Sequence, residues 1–294
     1  MNWTLVFLSS LIMFSLGGVL ALVVALFSKK LFVPENPLVV KVESLLPGAN
    51  CGGCGEAGCH ALAEKIVTGE CPPTKCLAVK GEALKQIFEC IGKSVEISEK
   101  KIARIACSGG NNVAVRYATY HGLHGCKAAQ LATGGGKGCA WGCLGFGDCA
   151  EACPFNAINI NENGLPTVNP ALCVGCGVCV SACPKHLISL HSVNDKLWVA
   201  CNNRDKGADV IPVCAVGCLG CGICSKDAPA GLVEIKNNLP QIDYSRSNEM
   251  TKDIIQRCPT GAIGWFDDKG NFEKGEKAKV IDRKEPLPIG QSKV

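Results

Sequence analysis

Twenty-two of the 294 residues are cysteine. Thiols in such number suit disulfides, zinc or iron–sulfur clusters, and spacing separates the three. Disulfide frameworks belong to small secreted domains in oxidising compartments. Zinc sites show separated CxxC pairs or Cys/His mixtures, yet only five His are present and none stands at CxxC–HxxxH spacing. Six of the cysteines form two CxxCxxC triplets, at 173–179 and 218–224, and Cys153, Cys183 and Cys258 are each followed by Pro. That spacing wraps a [4Fe-4S] cubane, a centre that takes up and releases electrons.

The strongest run is Cys173, Cys176, Cys179 and Cys183, followed by Pro184. It has bacterial ferredoxin spacing. A stretched partner run, Cys139, Cys143, Cys149 and Cys153, closes on Pro154 in the same way. In two-cluster ferredoxins the fourth cysteine of each run binds the other run's cluster. The crossover assigns Cys139, Cys143, Cys149 and Cys183 to one cluster, and Cys153, Cys173, Cys176 and Cys179 to another.

A third run is a fragment. Cys218, Cys221 and Cys224 are followed by Ala228-Pro229, where Cys-Pro is expected. Residues 243–256 should carry a second triplet and hold no cysteine, although Cys258-Pro259 survives. Under the crossover rule Ala228 belongs to the missing cluster. The remaining cluster keeps all four ligands: Cys218, Cys221, Cys224 and Cys258. Nearer the N-terminus, Cys51, Cys54 and Cys59 are set among Gly52, Gly53, Gly55 and Gly58, which let the backbone wrap closely. The fourth, distant ligand is Cys71 or Cys76.

These thiols need elements to hold them. Leu5 to Phe27 carry no charge and are long enough for a membrane span. The stretch is too long for a signal-peptide core, no basic region precedes it and no A-x-A site follows. Lys29 and Lys30 come next, and the positive-inside rule then puts the rest of the chain in the cytoplasm. Gly17 and Gly18 are compatible with a helix–helix contact or with none. The span holds no ionisable residue, so this chain by itself offers no ion pathway. Cys59 to Val67 reads as a helix ended near Gly69. Residues 197–200 and 232–235 read as short strands.

The segments after Cys153, Cys183 and Cys258 echo one another, so one unit is reused. Residues 133–138 read as a flexible Gly-rich linker. They are not a phosphate loop, because Leu131 stands where the upstream Gly is required and Gly138 where Ser or Thr is. Gly145, Gly147 and Ala150 match a dinucleotide fingerprint only on paper, since they lie between two cluster ligands without a preceding strand. His60 reads as an exposed helix residue. A net charge of +4 without a long basic run leaves nucleic-acid binding without support.

The expected fold class is α+β. A transmembrane anchor (1–28) precedes a small helical [4Fe-4S] domain (35–95) and a connector (96–137). A two-cluster ferredoxin module (138–193) and a ferredoxin-like module with one cluster (198–268) follow. A charged tail (269–294), poor in apolar residues, is expected to be disordered.

An anchor, a cysteine domain behind it and a ferredoxin module together resemble the B-subunit family of the Rnf ion-translocating complexes, also called electron transport complexes. The likeness rests on Asn50 to Cys54, Gly58-Cys59, Gly69 to Cys76, and Cys173 to Pro184. Trp141 to Cys149 and Asp205 to Gly207 resemble the long form with an extra C-terminal ferredoxin module. The likeness covers residues 1–265, and the missing cluster of the last module departs from longer relatives.

The resemblance implies Cys76 as the fourth ligand with Cys51, Cys54 and Cys59, giving four cubanes in all. It implies electron transfer between reduced ferredoxin and NAD through partner subunits of an Rnf complex, coupled to sodium or proton movement. The place implied is the inner cell membrane, with one span and a cytoplasmic soluble part. No flavin or nicotinamide motif appears, so hydride chemistry falls to a partner. An iron–sulfur sensor would need an output domain, and a corrinoid-protein partner would need a large cobalamin barrel. Neither needs tandem ferredoxin modules. Cys71, Cys90, Cys107, Cys126, Cys201 and Cys214 are left as small buried hydrophobes. The alternative is a further cluster drawing on Cys107, Cys126, Cys201 or Cys214.

Overall fold

The structure, a computed structural model, describes residues 3–30, 36–79, 81–92, 99–268 and 270–290. The expected boundaries at 35, 95 and 269 and the last four residues lie outside the described residues. Trp3–Lys30 is one α-helix, α1, about 42 Å long at 1.5 Å per residue. Its stretch Phe7–Lys30 is long and apolar enough to cross a membrane, and none of it is buried against the rest of the chain.

A helical unit follows. Asn36 opens α2 (Pro37–Leu45) by accepting the Leu38 N–H on its side chain, and Pro37 pre-sets the first turn. α3 is Cys59–Thr68, stopped at Gly69, whose left-handed backbone lets its N–H turn back to Ile66. α4 is Gly81–Ile91. The apolar stripe of α2 (Val39, Val42) meets that of α3 (Leu62, Ala63, Ile66), with Ile87 of α4 closing the core. His60 is half-exposed on α3 and pairs with Glu43 of α2 at 2.7 Å.

The next region contains two copies of one plan. In the first, β1 (Lys101–Ile105) precedes α5 (Cys126–Ala132), α6 (Asp148–Glu151), β2 (Ile158–Ile160), β3 (Pro166–Val168), α7 (Val178–Ala182) and β4 (Ile188–Ser192). β1 pairs antiparallel with β4, and β2 with β3. In the second copy, β5 (Leu197–Val199) leads through α8 (Gly207–Val210), α9 (Ile223–Asp227), β6 (Val233–Lys236), β7 (Leu239–Ile242) and α10 (Asp253–Gln256) to β8 (Ile263–Phe266) and β9 (Phe272–Lys274). Here β5 pairs with β8, and β6 with β7. In each copy the first strand pairs with the strand that follows the last Cys-Pro, and a short hairpin lies between.

Three sequence expectations need correction. The first module's outer strand, β1, comes from the segment expected to be connector. The rest of that segment is also held: Val115 N–H donates to Val213 and Gly138 N–H to Val115, at 2.9 and 2.8 Å. The glycines at 134–136 are not a free linker, since they form a tight turn whose Gly136 carbonyl accepts the Tyr117 N–H at 2.8 Å. Within the tail, the described residues 270–290 are tied to the rest of the chain at several points. β9 adds to β8, Leu287 is buried and donates to Asn111 O, and Gly290 donates to Arg116 O.

The two copies also join directly. Arg104 of β1 is buried and stacks on Phe266 of β8, 3.5 Å from the ring centre. His191 of β4 packs edge-on against Trp198 and tilted against Tyr244. The Trp198 indole donates to Ile105 O at 3.0 Å.

Candidate metal centres

The thiols converge around cavities. Cys51, Cys54, Cys59 and Cys76 line one of about 370 Å³. Cys71 is buried nearby but does not line it. The Cys51–Cys59 loop is held at both ends. Asn50, in a left-handed conformation, accepts the Cys59 N–H at 2.7 Å on its side-chain oxygen. Glu56 takes ion pairs from Lys65 of α3 and Lys75 of the turn before Cys76, both at 2.6 Å. The hydrogen bonds from those two ammonium groups hold the Glu56 carboxyl below its usual range. The triplet and its distant partner are thereby tied together.

In the second module Cys218, Cys221, Cys224 and Cys258 line a cavity of about 370 Å³. The other half of this copy is filled with hydrocarbon. Cys179 stands four residues before Cys183; the residue four before Cys258 is Ile254, fully buried beside Ile255, with Met250 and Ala228 packed around them. Of the four positions of the absent cluster, Ala228 and Ile254 join the apolar core, and by the same offset Asn248 and Thr251 take the other two places on the surface.

In the first module Cys153, Cys173, Cys176 and Cys179 are neighbours. Burial pushes the Cys179 thiol up to about 12, and the nearby thiols of Cys173, Cys176, Cys149 and Cys153 add to the rise. Backbone N–H groups reach the sulfurs, from Ala103 of β1 to Cys173 at 3.5 Å and from Ala157 to Cys153 at 3.4 Å.

The companion set differs from expectation. A cavity of about 420 Å³ is lined by Cys126, Cys143, Cys149 and Cys183, and Cys139 is not among its walls. The cause is local. Asp148, just before Cys149, accepts the N–H groups of Cys126 and Lys127 at the start of α5, at 2.5 and 3.0 Å. That pins Cys126 beside Cys149. Gly138 is meanwhile drawn to Val115, and Cys139 lines a different cavity, between the two modules. The signal in the sequence was the stretching itself: gaps of three and five residues after Cys139 break the ferredoxin triplet.

Cavity shape tests the chemistry. Among the described residues no three His, Cys, Asp or Glu side chains converge as they would on one ion, where zinc–sulfur bonds are about 2.3 Å. Thiols gathered in fours around the nearly apolar walls of one cavity match a polynuclear cluster instead. The N–H groups aimed at sulfur match thiolates. As free acids many of these thiols are raised by burial, Cys143 to about 12 and Cys149, Cys218 and Cys224 to about 11.

Neighbouring sets touch. Cys176 also lines the cavity of Cys51 to Cys76. At that contact a Cβ on Gly53 would overlap the Cys176 carbonyl oxygen, so only glycine lets the two backbones approach so closely.

Comparison with known proteins finds iron–sulfur domains in two of these segments. A family model of Fe-S cluster segments matches residues 46–78, and the 4Fe-4S dicluster domain model matches residues 139–187. The chain is 44% identical to the B subunit of the proton-translocating ferredoxin:NAD(+) oxidoreductase complex of Clostridium ljungdahlii, covering 86% of this chain and 89% of the relative. It is 40% identical to the B subunit of the ion-translocating oxidoreductase complex of Methanosarcina acetivorans, over 84% and 94%. It is 36% identical to the B subunit of the Na(+)-translocating ferredoxin:NAD(+) oxidoreductase complex of Acetobacterium woodii, over 90% and 78%. With its thiol-lined cavities and these near full-length relatives, the chain belongs to the B-subunit family of the Rnf-type ion-translocating oxidoreductase complexes.

Proposed function

We propose that this chain is the membrane-anchored wire of an Rnf complex, passing electrons between ferredoxin and NAD through partner subunits while the complex moves sodium or protons. The observation that carries the proposal is succession. Cys176 borders the cavity of the anchor-proximal set, and Cys179 lies beside Cys149 of the companion set. Four ligand sets are proposed: Cys51, Cys54, Cys59 and Cys76; Cys126, Cys143, Cys149 and Cys183; Cys153, Cys173, Cys176 and Cys179; and Cys218, Cys221, Cys224 and Cys258. A [4Fe-4S] cluster supplies one-electron uptake and release at each. The chain's own residues supply the thiolates, the N–H groups that tune them and an apolar lining that excludes water.

α1 is proposed to span the inner membrane once, with Lys29 and Lys30 holding the soluble part in the cytoplasm. The domain behind the anchor then faces the integral subunits, and the ferredoxin modules reach toward soluble ferredoxin. A reporter fused after Val294 should read as cytoplasmic, and periplasmic activity would refute the orientation.

Membranes carrying Cys176→Ser or Cys54→Ser test the function by ferredoxin-dependent NAD reduction. Cys176→Ser should remove the cluster that borders the anchor-proximal set and stop ferredoxin-dependent NAD reduction. Cys54→Ser should leave the outer clusters reducible but block onward transfer. Full activity in both would remove the chain from the electron path and favour a sensor or assembly role.

A further inference from the structure

Cys139 is not alone in its cavity. Cys107, Cys139, Cys201 and Cys214 together line one cavity between the two ferredoxin-like modules. We propose that these four thiols hold an additional [4Fe-4S] cluster, which joins the electron path of the second module to that of the first. The proposal rests on the iron–sulfur reading above.

Each thiol is delivered by a separate backbone device. Cys107 follows β1, and the Ser108 N–H donates to Ala200 O at 2.9 Å, drawing that loop to the Cys201 segment. Ala114 bridges Cys214 in antiparallel fashion, and Arg116 bridges Lys137 just before Cys139. The stretch 113–117 thus lies between the segments carrying Cys139 and Cys214, and it explains why a connector without cysteine triplets is so tightly bonded.

The sulfurs are furnished with donors. Asn203 is only 2% exposed. Its side-chain NH₂ donates to Cys139 Sγ and its backbone N–H to Cys201 Sγ, both at 3.5 Å. The Cys143 N–H donates to Cys107 Sγ at 3.4 Å, and the Cys218 N–H to Cys201 Sγ at 3.3 Å. A neutral thiol is a weak acceptor; four N–H groups directed at three sulfurs suit thiolates. The Lys137 ammonium, on the cavity wall, donates to Gly109 O and Cys143 O and sets a positive charge against an anionic centre.

The donors also define a position. Cys143 belongs to the companion set of the first module, and Cys218 to the set of the second. Each reaches a sulfur of this site through one backbone N–H. The order along the molecule is therefore second module, this site, first module and anchor-proximal domain. Loading is transfer of a preassembled cluster from a carrier: four S–H bonds give their protons to solvent, the carrier's iron–ligand bonds break as four Fe–S bonds to the cysteines form, and nothing is oxidised or reduced. In service one electron arrives from a reduced neighbouring cluster and one leaves, with no bond made or broken.

The test is iron and acid-labile sulfide per full-length chain, purified or reconstituted anaerobically. With this site loaded the chain should carry about 20 Fe rather than about 16. Cys201→Ala with Cys214→Ala should lower both counts by about 4 and leave the spectra of the other clusters in place. Cys90→Ala, a leftover thiol on α4, should change neither. About 16 Fe in the unaltered chain, or no loss in the double variant, overturns the proposal while the four-set reading stands. Zinc with little sulfide would end both.

Discussion

Asn50 offers a measurable separation of two forces at the anchor-proximal site. Its side chain accepts the N–H of Cys59, the first residue of α3, and its backbone is left-handed at φ 45°. Losing such a helix-start hydrogen bond costs about 1 kcal/mol. A residue with a Cβ and no local hydrogen bond pays about 1–2 kcal/mol for the left-handed region. Asn50→Ala should therefore weaken the closed loop by about 2–3 kcal/mol, a factor of roughly 30–150. Asn50→Gly loses the hydrogen bond without the steric penalty and should cost about 1 kcal/mol, roughly fivefold. Asn50→Asp keeps the acceptor and should remain close to the parent. The assay is anaerobic iron release to a ferrous chelator, in which local opening of the loop limits loss from this site. One phase of about 4 Fe should accelerate in that order, with the remaining iron unaffected. Equal rates for Asn50→Ala and Asn50→Gly, or faster release of all the iron, would refute the reasoning.

Cys126→Ala and Cys139→Ala should each remove about 4 Fe, and the double variant about 8; a loss of only about 4 in the double variant would return Cys139 to the Cys143–Cys149–Cys183 set. Gly53→Ala should keep its iron while electron transfer from the first module to the anchor-proximal cluster slows, because overpacking costs about 1–3 kcal/mol; rapid-freeze spectroscopy at an unchanged rate would show that the close approach to Cys176 does not occur in solution. His191 is held below its usual pKa by burial, against the opposing pull of Asp195 at 3.6 Å and with Arg104 and Lys101 adding to the depression. The folded form thus favours the neutral ring, so its contribution is complete above the unfolded value of about 6.5 and is lost as pH falls below it. The thermal midpoint should drop from pH 7 to pH 5, and His191→Phe should flatten that slope; an unchanged slope would place the pH dependence elsewhere.

Much of the site was legible because cluster ligands are spaced by local chain geometry. The Cys173–Cys183 run and the Cys218–Cys258 set lie close in sequence or are repeated in it, and the missing cluster was read from Ala228 together with the cysteine-free residues 243–256. Gly69 marked the end of α3 for the same local reason. What escaped is long-range. Cys126 reaches its cavity through Asp148, and Cys107, Cys139, Cys201 and Cys214 meet only because extended segments pair across the modules. No period records such pairing. The tail was misjudged because its charge masks one anchoring residue, Leu287, and hydrogen bonds made by backbone, which composition cannot register.

The pairing of β1 with β4 has a consequence for biosynthesis. Lys101 is registered against Ser192, so the first module's outer sheet cannot close until about 90 further residues have been made. At about 5–20 residues per second that interval lasts about 5–20 s. Throughout it Cys107 to Cys183 emerge from the ribosome as open thiols, nucleophilic and oxidisable, with no shell around them. The thiols of the newly made chain must therefore be kept reduced for the whole of that interval, before the fold can shelter them.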